Sequence, residues 1–275
     1  MPGDKKPVSK TRKGLLEKFL TVFGDIKVYK RPLFLVYDPG SYLVKGEDIR
    51  EVIKIVQPGD ILVRKYKNYL DGFFIPGYFS HVGLYLGPVK REDIDLVPFD
   101  SGKKQFQCGD QMVMHALAEG VLIEDLLNFC RTDYLVILRF PEKLKKVPEA
   151  RSLNVPKNEY FPEEEEIQRR MEEGAEIHFK DIFPIIYKVA LKNLGRPYDF
   201  NFDFADFARL SCTEFVYLCT KCTGPFLSVA PEKKSVFLFF KKTMIQPDVF
   251  LSTKLDLAWG SPKLNRHKIE SLRKG

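Results

Sequence analysis

Apolar residues recur along this chain with two periods, and the change of period marks its elements. Leu16, Phe19, Leu20 and Phe23 fall on one helical face with Glu17, Lys18 and Thr21 off it, which predicts an amphipathic helix behind a polar, basic arm over residues 1–13. A short helical stretch opens at Gly46-Glu47-Asp48 and runs through Ile53. The turn Pro58-Gly59-Asp60 leads into the strand Ile61-Leu62-Val63, and a second strand over Val82 to Leu86 closes at Gly87-Pro88. Met112 to Ala116, Gly120 to Ile123 and Tyr134 to Phe140 read as further strands. Residues 89–111 between them are charged and aperiodic, as in a long loop or insertion. Three helices complete the pattern: an exposed acidic one over Glu163 to Glu173, a core one over Phe183 to Leu194 ended by Gly195, and one from near Ser211 to Cys222. The run Glu163-Glu164-Glu165-Glu166 reads as a solvated face whose charge suits a helix N-terminus. Strand follows strand without long intervening helices, which points to an antiparallel sheet in an α+β fold.

Composition sharpens this picture. With 275 residues, 44% hydrophobic and 13% aromatic, the chain can bury a full core and is not globally disordered. Five cysteines are too few for a disulfide scaffold. No apolar run approaches the roughly 20 residues of a membrane-spanning helix, and the N-terminus lacks a secretory pattern, so a cytoplasmic protein is expected. The net charge of +7 favours anionic partners, but its lysines and arginines are scattered and not interleaved with a stacking platform. Nucleic acid is therefore not an expected partner; a weak contact with a membrane surface is retained, since the Leu16–Phe23 helix suits one.

The candidate chemistry centres on Leu210-Ser211-Cys212-Thr213-Glu214-Phe215-Val216. Ser211 is a plausible cap, which places Cys212 in a first helical turn, where unpaired N–H groups and the helix dipole favour a thiolate. Such a nucleophile needs a base, and His81 opens a strand that can present its ring rigidly. His115 on the next strand is placed to hydrogen-bond the distal nitrogen of His81 and orient it, as the third member of a triad does. A lone cysteine on an apolar helix is ordinarily core, and a lone histidine ordinarily structural; the combination carries the reading. Cys219-Thr220-Lys221-Cys222 is a single CxxC without a matching second pair, so zinc is not indicated. Asp199, Asp203 and Asp206 alternate with Phe200, Phe202, Phe204 and Phe207 without the glycine and terminal glutamate of a calcium loop. Neither a metal nor a cofactor is expected. Those phenylalanines precede Cys212 and could wall an apolar pocket.

The segments Pro58-Gly59-Asp60-Ile61-Leu62-Val63, Ser80-His81-Val82-Gly83-Leu84-Tyr85-Leu86-Gly87 and His115-Ala116 with Gly120-Val121 resemble the histidine half of the NlpC/P60 superfamily. Gly195-Arg196-Pro197-Tyr198-Asp199-Phe200, followed by Ser211-Cys212-Thr213-Glu214-Phe215-Val216, resembles its cysteine half. The cysteine half comes second here, as in the circularly permuted, YiiX/YebB-like branch. The resemblance spans residues 55–255, Gln246-Pro247-Asp248 included. It implies a permuted papain-like fold, with an antiparallel, barrel-like sheet packed against the helix that carries the nucleophile. It also implies Cys212 as nucleophile, His81 as base, His115 as third polar residue and Tyr198 at the oxyanion site. Phe200, Phe202 and Glu214 are candidates for binding substrate.

The domain reading that follows is a basic arm and helical extension over 1–50, a catalytic domain over 51–260 and a basic tail over 261–275. The expected activity is that of a thiol hydrolase, a peptidase or amidase acting on a peptide or acyl-containing small molecule through a Cys212 acyl-enzyme. Two alternatives stand beside it. One is a lipid acyltransferase or phospholipase like the lecithin:retinol acyltransferase group, although the box around Cys212 lacks that group's Asn-Cys-Glu-His pattern. The other is a catalytically silent binding module of the same fold.

Overall fold

The computed structural model describes residues 27–30, 33–36, 42–66, 77–95, 107–148, 150–151, 155–201, 204, 207–236 and 240–274. The Leu16–Phe23 helix and Phe202 lie outside them. Six strands form the central sheet: β1 (Ile61–Lys65), β2 (His81–Val89), β3 (Gly109–Leu117), β4 (Gly120–Asp125), β5 (Tyr134–Arg139) and β6 (Asp256–Gly260). Their spatial order is β6-β5-β1-β2-β3-β4, antiparallel throughout. The barrel-like sheet implied by the resemblance is not formed: β6 and β4 are the two edges and do not pair with each other.

Ile61-Leu62-Val63 and Leu135-Val136-Ile137-Leu138 are fully buried, because both faces of the sheet are covered. One face packs on α3 (Pro162–Glu172), α4 (Phe179–Lys192) and α5 (Cys212–Thr220), and takes Val63, Val82, Leu84, Met114 and Val136 from the strands. The other face takes Leu62, Tyr85, Val113 and Ile137, and lies under α1 (Gly46–Ile55) and the single turn α2 (Leu126–Phe129). Each large side chain removed from water in these two layers contributes about 1.5–3 kcal/mol. At the Pro58-Gly59-Asp60 turn, Gly59 has φ +93° and an added Cβ would stand 2.5 Å from the Phe179 ring, so only glycine fits. Asp60 is fixed below it by a two-pronged contact from Arg139, Nε to Oδ1 at 2.8 Å and Nη2 to Oδ2 at 2.7 Å.

Several sequence expectations are corrected here. Residues 89–111 are not one loop: β2 runs to Val89, a short helix covers Arg91–Asp95 and β3 begins at Gly109. The acidic run is not wholly solvated, since Glu164 is fully buried and its Oε1 accepts from Lys221 Nζ at 2.6 Å. That pairing lets Glu164 enter the core while also capping α3 through the Phe161 N–H, 2.9 Å away. The basic C-terminal stretch forms α6 (Arg266–Lys274), which buries Ile269 against the body, with Leu264 buried just ahead of it. α1 packs Val52 under the sheet.

Candidate functional site

α5 begins at a complete capping box. Glu214 Oε2 accepts from Ser211 N at 2.7 Å and Ser211 Oγ faces Glu214 N at 3.4 Å. The second carboxylate oxygen of Glu214 accepts from Phe204 N at 3.1 Å. Glu214 thus caps the helix that carries Cys212 and fixes Phe204, whose φ of +53° is unusual for a bulky residue. Burial, helped by the charge of Asp199, pushes its carboxyl up to about 7.

Every residue of α5 is buried, as a helix packed on all sides requires. Cys212 occupies its first turn, as the spacing predicted, and is 2% exposed. The Val82 and Thr213 backbone N–H groups lie against its sulfur and favour the thiolate, but burial outweighs them and pushes the thiol up to about 11. The backbone N–H groups of the first turn thus favour the thiolate as the sequence predicts, and desolvation exceeds them.

A row of polar side chains crosses the other face of the sheet. Arg64 of β1 pairs in register with His81 of β2. One step back from the Leu84–Met114 pair, Gly83 lies opposite His115 of β3. Val113 is opposite Glu124 of β4, so His115 and Glu124 are diagonal neighbours on one face. His81 Nε2 and His115 Nδ1 are 2.7 Å apart, with the rings at 81°. His115 Nε2 lies 2.9 Å from Glu124 Oε1, close but not squarely aligned as a hydrogen bond. Arg64 Nη1 stands 3.9 Å from the same oxygen and donates to the Phe129 carbonyl at 2.9 Å. Phe129 roofs the row: the Arg64 guanidinium sits 4.1 Å from its ring centre and His115 meets it edge-on at 5.2 Å. Gly83 makes room for that roof, since a Cβ there would stand 2.7 Å from the Phe129 ring.

Burial holds both imidazoles below their ordinary value, His81 well below, and the charge of Arg64 acts in the same direction. Glu124 opposes the effect at His115. The contacts with His115, together with Arg64 and Arg131, hold the Glu124 carboxyl below the usual range in spite of burial. The resting row is thus a neutral imidazole pair between a carboxylate and a guanidinium.

The structure joins His81 to His115, and brings Cys212 to the backbone of Val82, one residue from His81. Among the described residues no hydrogen bond joins the His81 ring to the Cys212 sulfur. Tyr198 lies on a strap tied to the β3–β4 hairpin: Val121 N donates to Arg196 O at 2.8 Å, Gly195 N to Val121 O at 2.9 Å, and Leu210 N to Pro197 O at 2.9 Å. The strap therefore fastens Tyr198 beside the residues that lead into Cys212, with the Phe200 ring 4.9 Å from its own. Asp248 holds the approach to His81, accepting from Tyr78 N and, at 2.8 Å, from Phe79 N. Cys219 and Cys222 are buried with raised thiols. A surface cleft of about 550 Å³ lies between α3 and α4, lined by Glu163, Ile167, His178 and Ile185 among others, and holds none of the expected site residues. No group of three or more His, Cys, Asp or Glu side chains suited to a metal occurs among the described residues.

Sequence reading missed Arg64, Glu124 and Phe129. The signal for Glu124 was present: in Gly120-Val121-Leu122-Ile123-Glu124 the alternation that buries Val121 and Ile123 on one face puts Glu124 on the other.

No protein-family model matches the chain, and no curated protein matches it at a significant level. Among solved structures it is similar to the crystal structure of the metalloprotein yiiX from Escherichia coli O157:H7, at 16% identity and a TM-score of 0.40, over 76% of this chain and 98% of that one. At that level the likeness carries no inference about chemistry.

Proposed function

We propose that the protein is a thiol hydrolase of the permuted papain-like, NlpC/P60 type, cleaving an amide or related acyl bond through Cys212. The observation that supports the reading is the convergence of a capped helix start bearing Cys212 on the Val82 backbone, next to a His81 ring already hydrogen-bonded to His115. With thiol and imidazole both neutral at rest, His81 acts as a general base rather than as half of a standing ion pair. Its ring takes the thiol proton as sulfur bonds to the acyl carbon and the carbonyl electrons move to oxygen. The oxyanion collapses, the bond to the leaving group breaks, and the imidazolium returns the proton to that group. Water then opens the thioester by the same base, giving a carboxylic acid and the free thiol. The Cys212 N–H and Tyr198 hydroxyl are the candidate oxyanion donors, and losing one costs on the order of 100- to 1,000-fold. Turnover requires the ring to swing to the sulfur and the buried thiol to be uncovered.

That burial gives weight to a second reading, a silent binding module with a protonated core cysteine. A panel of peptide amides, aryl esters and phospholipid vesicles separates the readings. Hydrolysis of an amide or ester, abolished in Cys212→Ala, is expected; acyl release from vesicles alone would instead point to the lipid acyltransferase, and no turnover of any class to the silent module.

A further inference from the structure

The polar row contains a residue whose placement sets the protonation of the others. We infer that Glu124 is the positioning residue of this site: through His115 it fixes the tautomer of both rings and leaves Nδ1 of His81 as the free base. The inference rests on the hydrolase reading for its purpose, though not for its geometry.

A lone pair on His115 Nε2 would be repelled by the carboxylate oxygen of Glu124 only 2.9 Å away, so that ring atom carries the hydrogen. A neutral imidazole has one N–H, so His115 Nδ1 is bare and accepts. The atom 2.7 Å from it, His81 Nε2, is then the donor. With its single hydrogen committed there, His81 presents an unprotonated Nδ1. Were His115 the other tautomer, its bare Nε2 would turn a lone pair towards the Glu124 carboxylate, which is repulsive. Both rings stay neutral because burial disfavours their charged forms, and the Arg64 guanidinium, 3.9 Å from Glu124 Oε1, acts in the same direction. Glu119 also faces His115 electrostatically and Arg131 faces Glu124, and neither changes which ring atom meets the carboxylate.

The test reads the rings directly. Long-range proton–nitrogen NMR on the 15N-labelled full chain, with only His81, His115, His178 and His267 contributing, separates the tautomers. At neutral pH both His81 and His115 are expected as Nε2–H with bare Nδ1. Glu124→Gln keeps an accepting oxygen, and should preserve both tautomers and the rate at which iodoacetamide alkylates Cys212. Glu124→Leu should redistribute the His115 tautomer and slow alkylation by on the order of 100-fold. An Nδ1–H signal on His81 in the wild type, or unchanged tautomers in Glu124→Leu, overturns the assignment. If the Leu variant does not fold, the wild-type spectrum and the Gln variant decide it. Rings as expected in a protein that forms no acyl-enzyme would sink the hydrolase reading and leave the Glu124 assignment standing.

Discussion

Cys212 and His81 are each pulled away from the charge that the proposed catalysis would give them. Burial raises the thiol to about 11 and keeps the imidazole neutral, against the N–H groups at the sulfur. Stability carries the same signature. A histidine whose folded value is depressed contributes stability that is present above its unfolded value, about 6.5, and lost as pH falls below it, because the unfolded chain takes protons the folded one refuses. Unfolding free energy from urea melts at pH 7, 6 and 5 should therefore fall more steeply for the wild type than for His81→Asn. Glu214, held up at about 7, acts in the opposite sense over part of that range, and the comparison with the variant cancels it. Equal slopes would show that the His81 ring is not buried neutral. At this scale the sequence placed Cys212 in a first helical turn and His115 within hydrogen-bond reach of His81, as the structure has them. It could not show that desolvation would outweigh the helix dipole, because that balance depends on what α5 packs against.

Strand and helix boundaries followed closely from local pattern. The runs around Ile61, Val82, Met114 and Tyr134 became β1, β2, β3 and β5, and Ser211 capped α5 as its spacing required. What escaped was non-local. α2 is a single turn with too few residues for a period, and it is set by Asp125 Oδ1 accepting from Leu127 N at 2.7 Å. Burial of Glu164 depended on Lys221, 57 positions away. Gly83 read only as a strand glycine, yet its missing side chain admits Phe129 over the histidine pair. Gly83→Ala should cost about 1–3 kcal/mol by overpacking, and Phe129→Leu in the same chain should recover much of it. A double-mutant cycle of thermal melts showing simple additivity would mean that Phe129 does not press on Gly83.

Across the whole molecule the open sheet divides two cores, and the site straddles them. The helix that carries Cys212 lies on the face shared with α3 and α4, and His81, His115 and Glu124 lie on the face roofed by α2. The two groups meet through the backbone at Val82, next to the start of β2 at His81, so the proposed chemistry depends on how His81 turns at that strand end. No helix among the described residues is long and apolar enough to cross a membrane. Sequence alone could place both halves of the site in one fold, but not on opposite faces of one sheet. The direct test is intact-mass and peptide-map analysis of the full chain after brief exposure to p-nitrophenyl acetate at neutral pH. A single acetyl group on Cys212, absent in Cys212→Ser and formed on the order of 100-fold more slowly in His81→Ala, is the expected result. Acetylation spread over other side chains, or on Cys212 at a rate indifferent to His81, would contradict it.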